Sequence, residues 1–407
     1  MKKIELLSPA GDFEKLKTAI HFGCDAVYLS GKKFGLRAFC DNFSDEELIE
    51  AIEYAHYYNV KVYVTINILA HNKDFDGLLD YLLFLEKNQA DGVIVSDLGI
   101  ANLVINNTHL ELHVSTQANI TNLYSAKVWQ NLGAKRLVLA RELSLKEINE
   151  IRNGLISDVD IECFAHGAMC ISYSGRCLLS NFLTGRDSNA GECAQICRWQ
   201  FALGIKDNKD DISYYPIQED NRGTYILNSK DLCMINHIKE LVDNGINSLK
   251  IEGRMKSNYY VAVVTNAYRR AIDNYYNNKT TTFDYIEELK KTSNREFTTG
   301  FYFNDTSKEN LTTSKVTETY KYLAVVLKQL DDNYILVEHR NKFQLNDELE
   351  ILSNSDSFNK KFIVSEILDE NKNPIDEVKK IKQRVYLKCP YKVSKFDILR
   401  IKKQDEN

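Results

Sequence analysis

The chain has 407 residues, 44% of them hydrophobic and 27% charged, and a formal net charge of −5. At ~150 residues per domain this allows two or three domains of ordinary globular composition. Four Pro and 18 Gly exclude collagen-like and Pro/Gly low-complexity chains, and the acidic balance gives no support to nucleic-acid binding by bulk charge, although a local basic patch suffices.

No run approaches the ~20 apolar residues of a membrane span, so no membrane partner is expected. The N-terminal stretch turns polar too soon for a signal peptide, and a cytoplasmic location is expected. Over residues 1–165, short β-branched or aromatic runs alternate with amphipathic stretches. Strands are predicted at Ile4–Leu7, Ala26–Leu29, Val60–Ile66, Gly92–Val95, Leu110–Ser115, Arg136–Leu139 and Val159–Phe164. Helices are predicted between them at Phe13–Phe22, Asp45–Tyr58, Phe75–Asn88, Leu98–Asn106, Leu123–Leu132 and Leu145–Arg152. In Asp45–Tyr58, Ser44 caps, Glu47 completes a capping box, and Leu48, Ile49, Ile52, Ala55 and His56 supply one face.

An eighth unit follows at Ser248–Ile251 and Tyr259–Tyr276. Eight alternating units predict an α/β fold, an irregular TIM-like (β/α)8 barrel over residues 1–280. An open doubly wound sheet is the alternative, but no Gly-rich dinucleotide fingerprint follows the first strand. An insertion at about 166–230 interrupts the rhythm, with a helix expected to resume near Asp231. Loops of that length are uncommon unless functional. The polar stretch 277–315 reads as a connection (281–317 between the domains). Alternating strands then predict a small C-terminal all-β barrel domain over 318–403: Tyr322–Leu327, Tyr334–Glu338, Glu348–Leu352, Phe362–Ile367, Val385–Lys388 and Asp397–Ile401, with turns such as Asp331-Asp332-Asn333.

Chemistry in a (β/α)8 barrel gathers at the C-terminal strand ends. Here these are Ser8-Pro9-Ala10-Gly11, Ser30-Gly31, Asn67, Ser96-Asp97, Thr116-Gln117 with Asn119, Arg141-Glu142, His166-Gly167 and Glu252-Gly253-Arg254. Loops are polar in any protein, so no single position carries weight. The set Gln117, Arg141, His166, Glu252 and Arg254 is the predicted site, and two Arg suit a small anionic substrate bearing carboxylate or phosphate.

There are nine cysteines, an odd number, and a disulfide framework is not expected without an export signal. Cys24, Cys40, Cys233 and Cys389 are scattered. Cys163, Cys170, Cys177, Cys193 and Cys197 cluster in and before the insertion. Cys170 and Cys177 have six residues between them, and Cys193 and Cys197 three. Thiolates suit zinc or iron–sulfur clusters, and the wide first gap tilts toward iron–sulfur. A rival reading pairs His166 with Cys170 across one helical turn as a nucleophilic dyad. A third leaves the thiols structural, as expected for Cys163 inside a strand. Cys233, expected at a helix start, either replaces a ligand or faces the core.

The run Glu162-x-Phe164-x-His166-Gly167-Ala168-Met169-Cys170-x-x-Tyr173-Ser174-Gly175-x-Cys177-x-x-Ser180 is a long signature. Ser8-Pro9-Ala10-Gly11, Asp25-Ala26-Val27-Tyr28, Asn228-Ser229-Lys230-Asp231-Leu232 and Lys250-Ile251-Glu252-Gly253-Arg254 join it. On these residues the chain resembles peptidase family U32, the collagenase-like proteases, over essentially its whole length. Members of that family include oxygen-independent hydroxylation proteins, and the length and the C-terminal β domain are most similar to the TrhP-type tRNA hydroxylation proteins.

The resemblance implies a 4Fe–4S iron–sulfur cluster on Cys170, Cys177, Cys193 and Cys197. It implies conversion of the tRNA wobble uridine to 5-hydroxyuridine, with prephenate as a needed small anionic metabolite. Gln117, Arg141 and Arg254 are then expected to bind substrate, and His166, as proton donor, and Glu252 to be catalytic. Arg254, Lys256, Arg269 and Arg270 are expected to help the β domain hold RNA. The alternative is a U32-family peptidase, for which the sequence offers no HExxH helix and no GxSxG elbow. A non-catalytic scaffold or redox sensor ranks third. The run Ser188-Asn189-Ala190-Gly191 departs from the family's more polar or basic pattern, which bears on RNA contacts.

Overall fold

The structure is a computed structural model that describes residues 3–32, 34, 42–170, 172–173, 176–186, 188, 193–199, 204–205, 215–216, 230–304, 316–330 and 333–403. Cys40, Ser174, Gly175, positions 189–191, Asn228, Ser229, Asp331 and Asp332, all singled out above, lie outside the described residues.

Seven strands come first: β1 (Glu5–Pro9), β2 (Ala26–Leu29), β3 (Lys61–Ile66), β4 (Gly92–Val95), β5 (Glu111–Val114), β6 (Arg136–Val138) and β7 (Asp160–Ala168). In the insertion, β8 (Gly204–Ile205) and β9 (Tyr215–Pro216) pair antiparallel. Then come β10 (Asp231–Cys233) and β11 (Ser248–Ile251). Each of β1 to β7 pairs in parallel with the next, β11 pairs in parallel with β1, and the β7–β11 pair closes the ring. The barrel is therefore closed, and the open-sheet alternative falls.

The helices between the strands are α1 (Phe13–His21), α2 (Asp45–Tyr57), α3 (Leu78–Lys87), α4 (Leu98–Asn107), α5 (Leu123–Asn131) and α6 (Leu145–Gly154). They start where short polar side chains satisfy orphan backbone N–H groups. Asp12, Asp97 and Asn122 cap α1, α4 and α5, and Ser44–Glu47 and Ser144–Glu147 form capping boxes on α2 and α6. Within α2 the buried face is Leu48, Ala51, Ile52 and Ala55, so Ala51 takes the place expected for Ile49 and His56. The later helices are α7 (Leu179–Thr184), α8 (Ile238–Asp243), α9 (Asn258–Tyr276) and α10 (Tyr285–Leu289). The main apolar core lies between the strands and this helical ring.

The barrel interior is unusual. Such interiors are normally layers of branched aliphatics. Here Leu7, Ala26, Tyr28, Tyr63 and Ile94 form a small apolar cluster. Beside it Arg136 pairs with Glu5, Glu162 (3.2 Å) and Asp160 (3.1 Å), and Lys250 pairs with Glu162 (2.8 Å). Glu162 is fully buried, so it depends on both cations for compensation.

Two expectations need correction. The chain resumes after the insertion as strand β10, not as a helix, and α8 starts only at Ile238. Strand β10 runs antiparallel to the C-terminal part of β7, Cys233 opposite His166, and carries β12 (Phe297–Thr298) on its other edge. The stretch 277–315 is likewise more than a linker, since it holds α10 and β12.

The C-terminal β domain is built from β13 (Tyr320–Gln329), β14 (Tyr334–His339), β15 (Phe343–Gln344), β16 (Glu348–Leu352), β17 (Lys361–Ile363), β18 (Ile367–Leu368), β19 (Glu377–Val378), β20 (Arg384–Lys388) and β21 (Ile398–Lys402). Seven of these form an antiparallel sheet in the order β17-β16-β21-β13-β14-β20-β18. It curls as a half-barrel, and β17 and β18 divide the single strand expected over Phe362–Ile367. Strand β14 alternates buried and half-buried residues, as a sheet with one face on a core requires.

The two parts are locked by polar contacts. Arg270 Nη2 donates to the carbonyls of Ser353 (3.0 Å) and Ser355 (2.9 Å), and its guanidinium lies 4.1 Å from the Phe358 ring centroid. His21 Nε2 meets the buried Asp397 at 2.8 Å. Arg269 is held by Asp25 (2.9 Å) and Asp273 (2.8 Å). Arg269 and Arg270, expected to help hold RNA, are both engaged in contacts within the fold.

Candidate functional site

The C-terminal ends of the strands open into one cavity of about 520 Å³. Its walls are Tyr28, Thr65, Asn67, Ile94, Ser115 and Phe164, and its mouth is the cysteine segment. Cys170, Cys177, Cys193 and Cys197 all line it, together with Gln117, Arg141, Glu252 and Arg254. Eight of the nine predicted site residues therefore meet in one place.

The ninth, His166, does not line the cavity. Strand β7 continues through Ala168, so His166 is extended backbone, not part of a helical turn. Its ring packs against Tyr260 (centroids 6.0 Å apart), Tyr268 (5.5 Å) and Phe297 (5.6 Å). Burial lowers its pKa to about 4; the Asp231 carboxylate opposes this and the Lys256 ammonium adds to it. Near neutral pH the ring is uncharged and walled off. The helical turn that would pair His166 with Cys170 is therefore not formed, and His166 stands apart from the eight residues that line the cavity.

A stability prediction follows from the sign of that shift. Between about pH 4 and 6.5 the unfolded chain binds a proton at this position that the folded chain refuses. The contribution is fully present above pH 6.5 and is lost as pH falls toward 4, by about 3 kcal/mol. Urea unfolding at pH 7.5 and 4.5 is expected to show a smaller acid loss in His166→Gln than in wild type. Equal losses would place the acid sensitivity elsewhere.

Two glycines explain why the motifs around the site are spelled as they are. A Cβ on Gly11 would lie 2.4 Å from the Arg254 carbonyl oxygen, and one on Gly167, at φ +112°, 2.6 Å from that of Glu252. The loop carrying Glu252 and Arg254 is pressed between these backbones, where only glycine fits. Gly167 also has a backbone that L side chains rarely adopt.

The cations are held in distinct ways. Arg141 Nη1 donates to the Ala168 carbonyl (2.9 Å), and its guanidinium lies 4.0 Å from the Phe164 ring centroid. Arg254 is 4% exposed and donates from Nη1 to Thr65 Oγ1 (3.1 Å). Gln117 accepts from Ser115 Oγ (3.3 Å). Tyr260 Oη donates to the Glu252 carbonyl (2.9 Å).

Lys250, Lys256, Arg186 and Arg295 also line the cavity, and the sequence reading missed all four in this role. Lys250 had a signal: it lies two residues before Glu252, at the spacing that puts strand side chains on one face. It is 6% exposed and sits 4.6 Å from the Tyr28 ring centroid. Arg295 lay in the stretch read as a connection, where nothing in the local pattern marked it. Among the described residues Glu252 is the one carboxylate lining the cavity, while two of the six cations are ion-paired outside the lining, Lys250 with Glu162 (2.8 Å) and Arg295 with Asp231 (4.0 Å). The site is electropositive in an acidic protein.

The cysteine segment is cross-tied. Ser188 Oγ donates to the Cys177 carbonyl (2.7 Å), the Ala194 N–H to Ser180 Oγ (3.0 Å) and the Gln195 N–H to Cys193 Sγ (3.4 Å). Burial raises the Cys177 thiol, but the Leu179 N–H, the Ser172 and Ser188 hydroxyls and the Ser180 N–H outweigh it and bring its pKa below the usual value. Burial raises the Cys170 thiol, with the sulfurs of Cys177 and Cys193 adding to the effect. These three sulfurs are therefore within electrostatic reach of one another. Among the described residues no three His, Cys, Asp or Glu close on a point that one ion could occupy. Four thiols on one segment are nonetheless the donor type that iron–sulfur clusters take. Cys233 is buried beside Tyr268 Oη (4.0 Å), off the cavity, and Cys163 is buried within β7.

Among the described residues no helix is long and apolar enough to cross a membrane. The sequence matches the model of peptidase family U32 over residues 11–312 and that of the peptidase family U32 C-terminal domain over 318–400. It is 40% identical over 410 residues to tRNA hydroxylation protein P1 of Bacillus subtilis, covering 98% of this chain and 95% of that one. It is 35% identical over 400 residues to tRNA hydroxylation protein P of Escherichia coli, covering 88% of each. It is 44% identical over 319 residues to an uncharacterized protease of Methanocaldococcus jannaschii, covering 76% of this chain and 75% of that one. With its closed barrel, its cysteine-rimmed cavity and both family models matched in order, the chain belongs to peptidase family U32.

Proposed function

We propose that this chain is an iron–sulfur enzyme of tRNA modification, acting in the oxygen-independent hydroxylation of the wobble uridine to 5-hydroxyuridine. One observation carries the reading: four cysteines meet at the mouth of one electropositive cavity, in a chain 40% identical over 98% of its length to a tRNA hydroxylation protein. Cys170, Cys177, Cys193 and Cys197 would hold a 4Fe–4S cluster, which when bound supplies one-electron chemistry.

The chain's own residues supply the rest. Arg141 and Arg254 hold a small anion, prephenate in this reading, whose two carboxylates match a cavity rich in guanidinium and ammonium groups. Gln117 offers an amide for orienting the base or the anion. Glu252 holds or releases a proton at its carboxylate, and it lines the cavity where His166 does not. Tyr28, Ile94 and Phe164 supply the apolar part of the wall. The expected partner is tRNA and the expected location cytoplasmic.

Mass spectrometry of tRNA from a deletion strain tests this. Loss of 5-hydroxyuridine-derived nucleosides, restored by the wild-type gene, is the expected result. Unchanged levels in a strain lacking every paralogue would sink it. The archaeal relative's name favours the peptidase reading. Gelatin hydrolysis by the purified protein, abolished in Cys177→Ala but indifferent to cluster loss, would move the assignment there.

A further inference from the structure

The cysteine segment has a second face. Large apolar residues on it stand at the rim of the cavity, as Tyr173 does, or outside its lining, as Leu178, Phe182 and Trp199 do. Tyr173, three residues after Cys170, is 54% exposed; Leu178, next to Cys177, is 71% exposed; Phe182 is 86% exposed; Trp199, two residues after Cys197, is 49% exposed. Leu178 and Phe182 sit one turn apart, joined by the Phe182 N–H to the Leu178 carbonyl (2.9 Å), while Leu179 and Ser180 between them turn inward to line the cavity. One exposed apolar side chain is ordinary, but several on one short segment beside a functional cavity mark an interaction surface.

The flanking charges say what kind. Arg176 and Arg186 are exposed on the same segment, and Arg186 also lines the cavity. Apolar and aromatic side chains beside guanidinium groups, continuous with a cation-lined cavity, complement a flexible polyanion with aromatic faces. A hydrophobic peptide would need no such charge, and a second copy of this acidic chain would be poorly matched to it.

We propose that Tyr173, Leu178, Phe182 and Trp199 form a stacking surface for unpaired bases of an RNA loop, with Arg176 and Arg186 on its phosphates. The bases held there are the neighbours of the one delivered into the cavity. The assignment rests on the tRNA reading above and extends it to the side chains that receive the loop. Stacking recognises unpaired bases whatever their sequence, and that leaves identity to be read inside the cavity.

The test is binding of an anticodon stem-loop RNA by fluorescence anisotropy over a range of salt concentrations. Phe182→Ala is expected to weaken binding about tenfold, and Leu178→Ala with Phe182→Ala further, whereas Phe182→Trp binds like wild type. The salt slope is expected to stay constant in Phe182→Ala and to fall by about 0.7 in Arg176→Ala, which loses a phosphate contact. Being exposed, Phe182 can be changed without disturbing the core, and unchanged iron content checks this. Equal affinity of Phe182→Ala and wild type overturns the proposal while leaving the tRNA reading intact. A shift in oligomeric state with unaltered RNA affinity also overturns it, in favour of contact between copies. A flat wild-type curve sinks both.

Discussion

Cys193→Ala is expected to abolish the cluster and with it tRNA hydroxylation. Anaerobically purified wild type should carry about four irons and matching sulfide per chain, with charge-transfer absorption. In the variant both fall well below that level, and complementation of the deletion strain fails. Cys24→Ala is the control. Cys24 is buried under α1, away from the cavity, with its thiol pKa pushed well up by burial. It is expected to retain iron and activity. Stoichiometric zinc without sulfide in the wild type, or full iron in Cys193→Ala, would contradict the four-ligand assignment.

Arg400→Met is expected to destabilise the protein by about 3–5 kcal/mol, because it leaves buried carboxylates uncompensated. Arg400 is fully buried at the joint between α10 and the β domain. It pairs with Glu288 (2.6 Å) and Glu350 (2.7 Å), and Lys291 reaches both carboxylates, at 2.8 and 2.6 Å. The four groups are neutral as a set. Burial raises the Glu288 carboxyl, but Arg400 and Lys291 outweigh it and hold its pKa below the usual range. Removing Arg400 leaves two carboxylates to one ammonium. The double variant Arg400→Met, Glu350→Gln restores neutrality and should recover part of the loss in urea unfolding. A single-variant cost under about 1 kcal/mol would mean the network is solvated, as surface pairs are. Limited proteolysis of Arg400→Met should release the β domain earlier than in wild type, because this quartet and Arg270 hold it to the barrel.

The barrel was legible because its signals are local. Period-2 and period-3.6 hydrophobicity, Ser and Asp caps and the capping boxes at Ser44 and Ser144 all act within one turn or one strand. The strand ends followed from the same rhythm, and with them Gln117, Arg141, Glu252 and Arg254. The four cysteines stood out by their crowding. The shortest elements were not legible: β10 and β12 are three and two residues long and owe their strand geometry to pairing with β7 and with each other. A run of that length has no measurable period, so the Asp231–Cys233 segment read as a helix start.

What the sequence determined by itself, then, is the (β/α)8 order, the appended antiparallel sheet and the residue types of the site. Closure, burial and direction were decided by tertiary structure. Only the β7–β11 pairing shows that the sheet is a ring. Only the extension of β7 through Ala168 turns His166 out of the cavity and into an aromatic wall. Only the closed interior brings Lys250 to the cavity floor and Arg295 in from a stretch that looked like a tether. Each of these is a contact between residues far apart in the chain. A side chain's neighbours across the fold, rather than its neighbours in sequence, set its solvation, and solvation decides whether a histidine is a proton donor or a buried neutral ring.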